Sequence, residues 1–291
     1  MRQNEPCLRE FVSRAYIISY QEDIEPLRRV LTAQGLECIS IRQEYRKCDR
    51  DSSRSYLCLR NHARAWQKIV ATQETAAIFE ADFVPVRHMG KYPIPCDLQR
   101  NPFGEVTLEP FADFGIAWLY TCAAQVYSVS ETGKAIGYSS SMVAYLVSPK
   151  AAEILLQHAE EIHQQFGPKT YSAWDSQVED VLRSHGLQSY IPFRNYGEHG
   201  GHPNHEHYVA KLSREHRADV LYAPLTFTPQ YCHGGSYPVW LKYWLTRTFA
   251  RVKGLGRLIL HRYVRSEVWQ KSSRPHWIIG FAILRQFTLR L

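Results

Sequence analysis

The residues of this chain best suited to chemistry are carboxylates. In Thr75 to Val86, TAAIFEADFVPV, a short apolar run stops at Glu80 and Asp82 and then resumes. An apolar segment of strand length without helical spacing predicts a buried strand, and acids at its C-terminal end lie where open α/β sheets hold ligands. Two carboxylates one residue apart can share a divalent cation and a sugar hydroxyl; the plainer reading is a strand end that faces water. A further acid, Asp175, falls in the first turn of an expected helix, Tyr171 to His185, where a carboxylate favours the helix dipole. Histidines gather in Asn195 to Tyr208, NYGEHGGHPNHEHY, at positions 199, 202, 205 and 207. Imidazoles with carboxylates bind transition metals, so structural zinc is one reading, although the irregular spacing of His199, His202, His205 and His207 matches no helix-borne ligand motif.

The elements that must carry these residues are legible in part. Ala15 to Tyr20 predicts a first strand, Ile24 to Gln34 a helix ended by Gly35, and Leu36 to Ile41 a second strand. Such a β-α-β opening predicts parallel strands with a right-handed crossover, and no GxGxxG follows the first strand. Tyr56 to Ala71 carries Leu59, Ala63, Trp66 and Ile69 at helical spacing, with His62 on or beside the buried face; a lone His there is more often a satisfied core residue than a ligand. Arg87 to Glu109 reads as a surface loop rich in proline, and Ile116 to Tyr127 as a core strand with its extension. Thr132 to Ser141 is a small loop; its serines, Ser140 among them, either hydrogen-bond sugar hydroxyls or simply serve the turn. Val143 to Val147 returns to strand, and Ser148 and Pro149 open the next helix as N-cap and first helical residue.

Composition bounds the rest. The chain has 291 residues, 45% of them hydrophobic, enough for one large α/β domain or two small ones. Its N-terminal residues hold no apolar run before a small-residue cleavage site, which predicts no secretory signal, and seven unevenly spaced cysteines fit a reducing compartment. The cytosol is the expected location. No apolar run approaches the roughly 20 residues of a bilayer span. The formal charge of +7 is concentrated in Val239 to Leu291, where Lys and Arg recur and Glu267 is the sole acid. Trp, Phe and Leu interleave with those basic residues. That pattern predicts either a membrane-surface segment on the inner face of the cytoplasmic membrane, drawn to anionic lipid, or a helical cap with a solvated basic face. The charge comes with no nucleic-acid-binding motif. The expected division is therefore residues 1–238 as one domain and 239–291 as a basic C-terminal segment.

The strand AYIISY, the helix bearing Cys58, Asn61, His62 and Trp66, and the strand ending in Glu80 and Asp82 together resemble glycosyltransferase family 25, the lipooligosaccharide-biosynthesis type. Asn61 stands where that family has Ser, and Ala81 where it has the middle Asp of a Glu-Asp-Asp strand end. The block GYSSSMVAYLVSPKAAEILL resembles its second hallmark, and HGGHPNHEH a stretch of some bacterial members. The resemblance covers about Arg14 to Leu225. It implies an α/β fold of the glycosyltransferase A type with a mixed, mainly parallel central sheet. It also implies Mn or Mg at Glu80 and Asp82, and transfer of a hexose, galactose or glucose, from a UDP-sugar to a glycan or glycolipid acceptor with inversion. In that picture Asp175 is the general base, and His62, Ser140 and His199 join Glu80 and Asp82 around the donor. The His-rich stretch is then a polar loop closing over the nucleotide diphosphate. The alternatives are a non-catalytic glycan- or nucleotide-sugar-binding homologue, motivated by Ala81, and a zinc-stabilised interaction protein.

Overall fold

The computed structural model describes residues 6–44, 47–100, 106–201, 217–234 and 236–288. In chain order these form α1 (Leu8–Phe11), β1 (Arg14–Ser19), α2 (Glu25–Ala33), β2 (Glu37–Arg42), α3 (Arg54–Thr72), β3 (Ala76–Glu80), β4 (Phe83–Pro85), β5 (Leu98–Arg100) and β6 (Val106–Pro110). There follow β7 (Phe114–Trp118), β8 (Gln125–Val129), β9 (Ala135–Tyr138), β10 (Ala144–Val147), α4 (Pro149–Phe166), α5 (Val178–Ser184), β11 (Gln188–Ile191), β12 (Gly197–His199), α6 (Val239–Ile259), α7 (Ser266–Lys271) and α8 (Pro275–Phe287). The chain is α/β, as expected. Its central sheet has eight strands in the order β2-β1-β3-β10-β7-β11-β9-β8. β1 pairs in parallel with β2 and β3, and β7 with β11, while β10 and β9 run against their neighbours.

Both faces of this sheet are covered, which is why its central strands read as continuous apolar runs rather than alternating ones. Tyr16, Ile18, Ile78, Trp118, Tyr145 and Val147 point into one cluster shared with α3, α4 and α5. Their strand neighbours Ala15, Ile17, Ala77, Phe79, Ala144 and Leu146 point into the other, beneath α1 and α2. The helix ends follow local chemistry. Gly35 takes φ +90 past the end of α2, and the Ser148 hydroxyl accepts from the Ala151 amide to cap α4. α3 begins two residues earlier than its apolar spacing indicates, because Ser53 caps it through the Tyr56 amide.

Five expected elements are divided differently, the first being Thr132 to Ser141, expected to be a small loop, which carries β9. The run from Thr75 to Val86 is not one strand: β3 stops at Glu80, Ala81 and Asp82 turn, and β4 leaves to pair antiparallel with β12. Ile116 to Tyr127 divides between β7 at the sheet centre and β8 at its far edge, with Ala123 at φ +49 breaking the extended chain. Within Arg87 to Glu109, expected to be loop, β5 and β6 pair as a small antiparallel sheet. The helix expected over Tyr171 to His185 is a single 3-10 turn, Trp174–Ser176, followed by α5.

Residues 239 onward fold back on the rest. Ile278 and Phe281 of α8 enter the α3–α4 side cluster. The fully buried Arg285 reaches Asp219 at 3.0 Å, whose carboxylate also accepts from Gln286, the Val220 amide and the Tyr263 hydroxyl. α6 buries Ala250 and Gly254, yet its opposite face exposes Trp240 (65%), Trp244 (63%), Phe249 (69%) and Ile259 (74%). No helix among the described residues is long and apolar enough to cross a membrane.

Candidate active site

Glu80 is held from behind by the three α3 residues spaced four apart, Cys58, His62 and Trp66, which one helical face must present together. An indole N–H can only donate, so the bond between Trp66 Nε1 and the Tyr145 hydroxyl (2.9 Å) makes Tyr145 the acceptor. The phenol then spends its proton on His62 Nδ1 (2.8 Å), which leaves Nε2–H to donate to Glu80 Oε1 at 3.2 Å. Cys58 Sγ reaches the same oxygen at 3.6 Å. His62 has no exposed surface and both ring nitrogens are engaged, so its part is to position Glu80 rather than to touch a ligand.

Asp82 lies beyond the turn, against the start of the His-rich stretch. The expectation of a loop there fails at β12, which is paired with β4, and Asn195, Tyr196 and Glu198 are fully buried. His199 Nε2 meets Asp82 Oδ2 at 2.9 Å, and the Gly200 amide donates to the Asp82 carbonyl at 2.8 Å. A Cβ on Gly201 would lie 2.1 Å from Asp82 Oδ2, so only glycine lets the backbone come this close. Arg217 clamps the stretch by donating to the His199 and Gly201 carbonyls. Burial disfavours both charges of the pair, but mutual attraction and the shared hydrogen bond outweigh it. Asp82 is held below the usual carboxylate range, and His199 above the usual imidazole value. His202, His205 and His207, the remaining members of the expected zinc set, lie outside the described residues.

One ligand atom each from Glu80, Asp82 and His199 fall within 4.8 Å of one another. Asp82 Oδ1 is buried without a hydrogen-bond partner among the described residues, a position a bound cation would satisfy. Two carboxylates and an imidazole suit Mn better than Mg, which prefers oxygen alone. The donor set therefore fits the expected cation and adds His199 to it.

This group stands at the edge of a cavity of about 550 Å³ at the C-terminal ends of β1, β2 and β3, lined among others by Ser19, Tyr20, Gln43, Arg50, Arg54 and Asn61. That is the end of the sheet at which such folds hold ligands, and the volume is of ligand size. Ala81 also lines it. Arg50 and Arg54 were not singled out by spacing; the signal available was only the charged connection before α3. Ser140 is elsewhere in use: its amide and hydroxyl both go to the Cys122 carbonyl, at 3.1 and 3.4 Å, which is a turn's bonding.

Asp175 sits in the 3-10 turn, not in an α-helical first turn. Its carboxyl is pushed up to about 7, by burial first and then by the charge of Glu80. A carboxylate poised near neutrality within the field of the cation-site acid has the property a general base needs.

No family model matches the chain, and none of the curated proteins does. Among solved structures, a glycosyltransferase involved in the glycosylation of the major capsid of PBCV-1 is similar over 61% of this chain and 80% of its own, at 10% identity and a TM-score of 0.38. A Drosophila β1,4-galactosyltransferase 7 variant in complex with manganese, UDP-Gal and xylobiose is similar over 70% of this chain and 76% of its own, at 14% identity and a TM-score of 0.34. Likenesses this distant carry no weight beside the site's own geometry.

Proposed function

We propose that the protein is a metal-dependent glycosyltransferase that moves a hexose from a UDP-sugar to a glycan acceptor. The observation that carries this reading is the convergence of Glu80, Asp82 and His199 at the rim of the strand-end cavity. A divalent cation held there would supply positive charge to a departing diphosphate. The chain's own residues do the rest. Arg50 and Arg54 bring further positive charge to the cavity, and the His62 relay fixes Glu80. Asp175 takes the acceptor hydroxyl's proton as its oxygen bonds to the anomeric carbon; the bond to diphosphate breaks, and diphosphate leaves with the electron pair. Galactose or glucose as the sugar, inversion, and a lipooligosaccharide-type acceptor rest on the family resemblance alone. A glycolipid acceptor agrees with peripheral contact of the exposed α6 face with an anionic bilayer, on the cytoplasmic side.

Mn-dependent donor hydrolysis tests the core of this reading. Asp82→Asn and Glu80→Gln should each lower the rate by about 100-fold or more, the loss typical of removing one electrostatic contact to the reacting centre; full activity in both would end it. For the membrane contact, Trp244→Ser with Phe249→Ser should abolish salt-sensitive binding to anionic liposomes while leaving donor hydrolysis in place, and unchanged sedimentation with liposomes would refute it. Ala81 favours a second reading, a binding protein without turnover, because it replaces a possible ligand in the cavity wall. Calorimetry separates the two: UDP binding strengthened by Mn accompanies the enzyme, and glycan binding indifferent to UDP and Mn accompanies the alternative.

A further inference from the structure

The C-terminal helices build a second cavity, of about 1020 Å³, against Ala123 and Gln125. Among the described residues five basic side chains line it, Lys253, Arg257, His261, Arg262 and Arg265, and no Asp or Glu does. Two of the five are fixed as its back wall. Arg257 donates to the Ala124 carbonyl at 2.9 Å and lies 4.7 Å over the Tyr263 ring. Arg265 donates to the Gln125 side chain and lies 5.5 Å from the Tyr127 ring. Asp219, the acid whose charge meets Arg257, is paired with Arg285, Glu131 pairs with Arg274, and Glu267 is not among the lining residues. Cations gathered in a concave, partly apolar wall concentrate their field on whatever enters.

Beside Gln125, Ser266 and Gln270, the rest of the lining is apolar, chiefly Leu260, Val264, Trp269 and Ile279, and Leu260 is exposed beside Ile259, at the end of the apolar face that α6 turns outward. The cavity is therefore cationic inside and continuous with an uncovered hydrophobic surface outside. A soluble anion would use only the first property, and a neutral lipid only the second. Arginines present paired N–H groups suited to phosphate oxygens.

We propose that this cavity binds the phosphate-bearing head of an amphiphile, whose apolar part lies along Leu260 and Trp269 toward the exposed face of α6. The cavity shares neighbours with Asp175. Arg265 lies 5.8 Å from the Tyr138 ring, and Tyr138 also feels the charge of Asp175, as does Cys122 beside Arg257. A phosphorylated lipid held here would present its glycan on the Asp175 side. Its role as acceptor rests on the sugar-transfer reading, whereas its binding does not.

The test is calorimetric titration of the full chain with dihexanoyl phosphatidic acid, dihexanoyl phosphatidylcholine and inorganic phosphate, with UDP and Mn titrated in parallel. Phosphatidic acid should bind at least about tenfold more tightly than either control, and Lys253→Gln with Arg262→Gln should weaken it by about tenfold, a factor expected for losing two charge-assisted contacts. Both residues are exposed, so the double variant should keep the parent's melting temperature and UDP binding. Trp269→Ala should weaken phosphatidic acid but not phosphate. Equal binding of phosphatidylcholine, equal binding of free phosphate, or an unaffected double variant would each overturn the proposal. Phosphatidic acid binding in a chain that ignores UDP and Mn would uphold the cavity and remove the sugar-transfer reading.

Discussion

At Asp175 the geometry sets a pH dependence that can be stated with its sign. The group is an acid whose folded value is raised to about 7, against about 3.9 in an unfolded chain. It must be deprotonated to accept a proton, so the transfer rate should rise with pH and level off above about 7. Burial is the larger cause and the Glu80 charge the second, so a cation bound at Glu80 should move this limb lower. Asp175→Asn should cost about 100- to 10,000-fold in turnover with UDP affinity retained, the range expected for a lost general base. A rate that falls with rising pH over the same interval would remove Asp175 from the role. The residue types at this site were legible in the sequence: Glu80, Asp82, Asp175, His62 and His199 all stand out by character. Their grouping was less so. The proximity of His199 to Asp82 spans 117 residues and depends on β4 pairing with β12, which no local spacing announces.

At the scale of elements, the three-residue strand β12 does more than its length suggests. It was hidden in a stretch whose glycines and histidines read as loop, because a strand this short leaves no detectable alternation. The glycines were the better signal. Gly200 and Gly201 are needed for contact with Asp82, so Gly201→Ala must displace that carboxylate. The expected result is metal affinity weakened by about 10- to 100-fold, as when support around a ligand is lost, with little change in melting temperature. Manganese titration of both proteins checks this, and unaltered affinity would mean that Asp82 does not hold the cation. The helices α2 and α3 and the strands β1, β2 and β10, in contrast, were readable within a few residues, because their apolar faces fix them. Where a run crossed from one sheet to another, at Asp82 and again at Ala123, hydrophobicity continued while the backbone turned, and pattern alone joined what the structure separates.

Across the whole molecule, the C-terminal segment is bound in by charge as well as by apolar contact. Asp219 is held well below the usual carboxylate range: burial opposes its charge, and Arg285 with the Tyr263 hydroxyl more than compensates. A depressed carboxylate stabilises the fold above its unfolded value and loses that contribution as pH falls below about 4 toward the folded value. Arg285→Met leaves the carboxylate buried without its counter-ion and should cost about 3–5 kcal/mol near neutrality. The difference from the parent should shrink at pH 3, where the variant's Asp219 is protonated. Urea unfolding at both pH values measures it, and an equal difference at the two would show that the ion pair is not its source. The basic, aromatic composition of this segment announced a surface, but not that its inner side carries Arg247 and Arg285 to partners elsewhere in the chain.

Arg247 reaches from α6 to the fully buried Glu198, the residue before His199. Removing everything after Tyr237 would thus strand two interior anions at once, Glu198 and Asp219, and loosen the backbone that carries His199 to Asp82. Such a truncated chain would lose the proposed catalysis and the proposed membrane contact together for a reason unrelated to lipid. The outward residues of α6 and the residues that tie it down are separate sets, and only substitutions confined to the first can reveal what the helix touches.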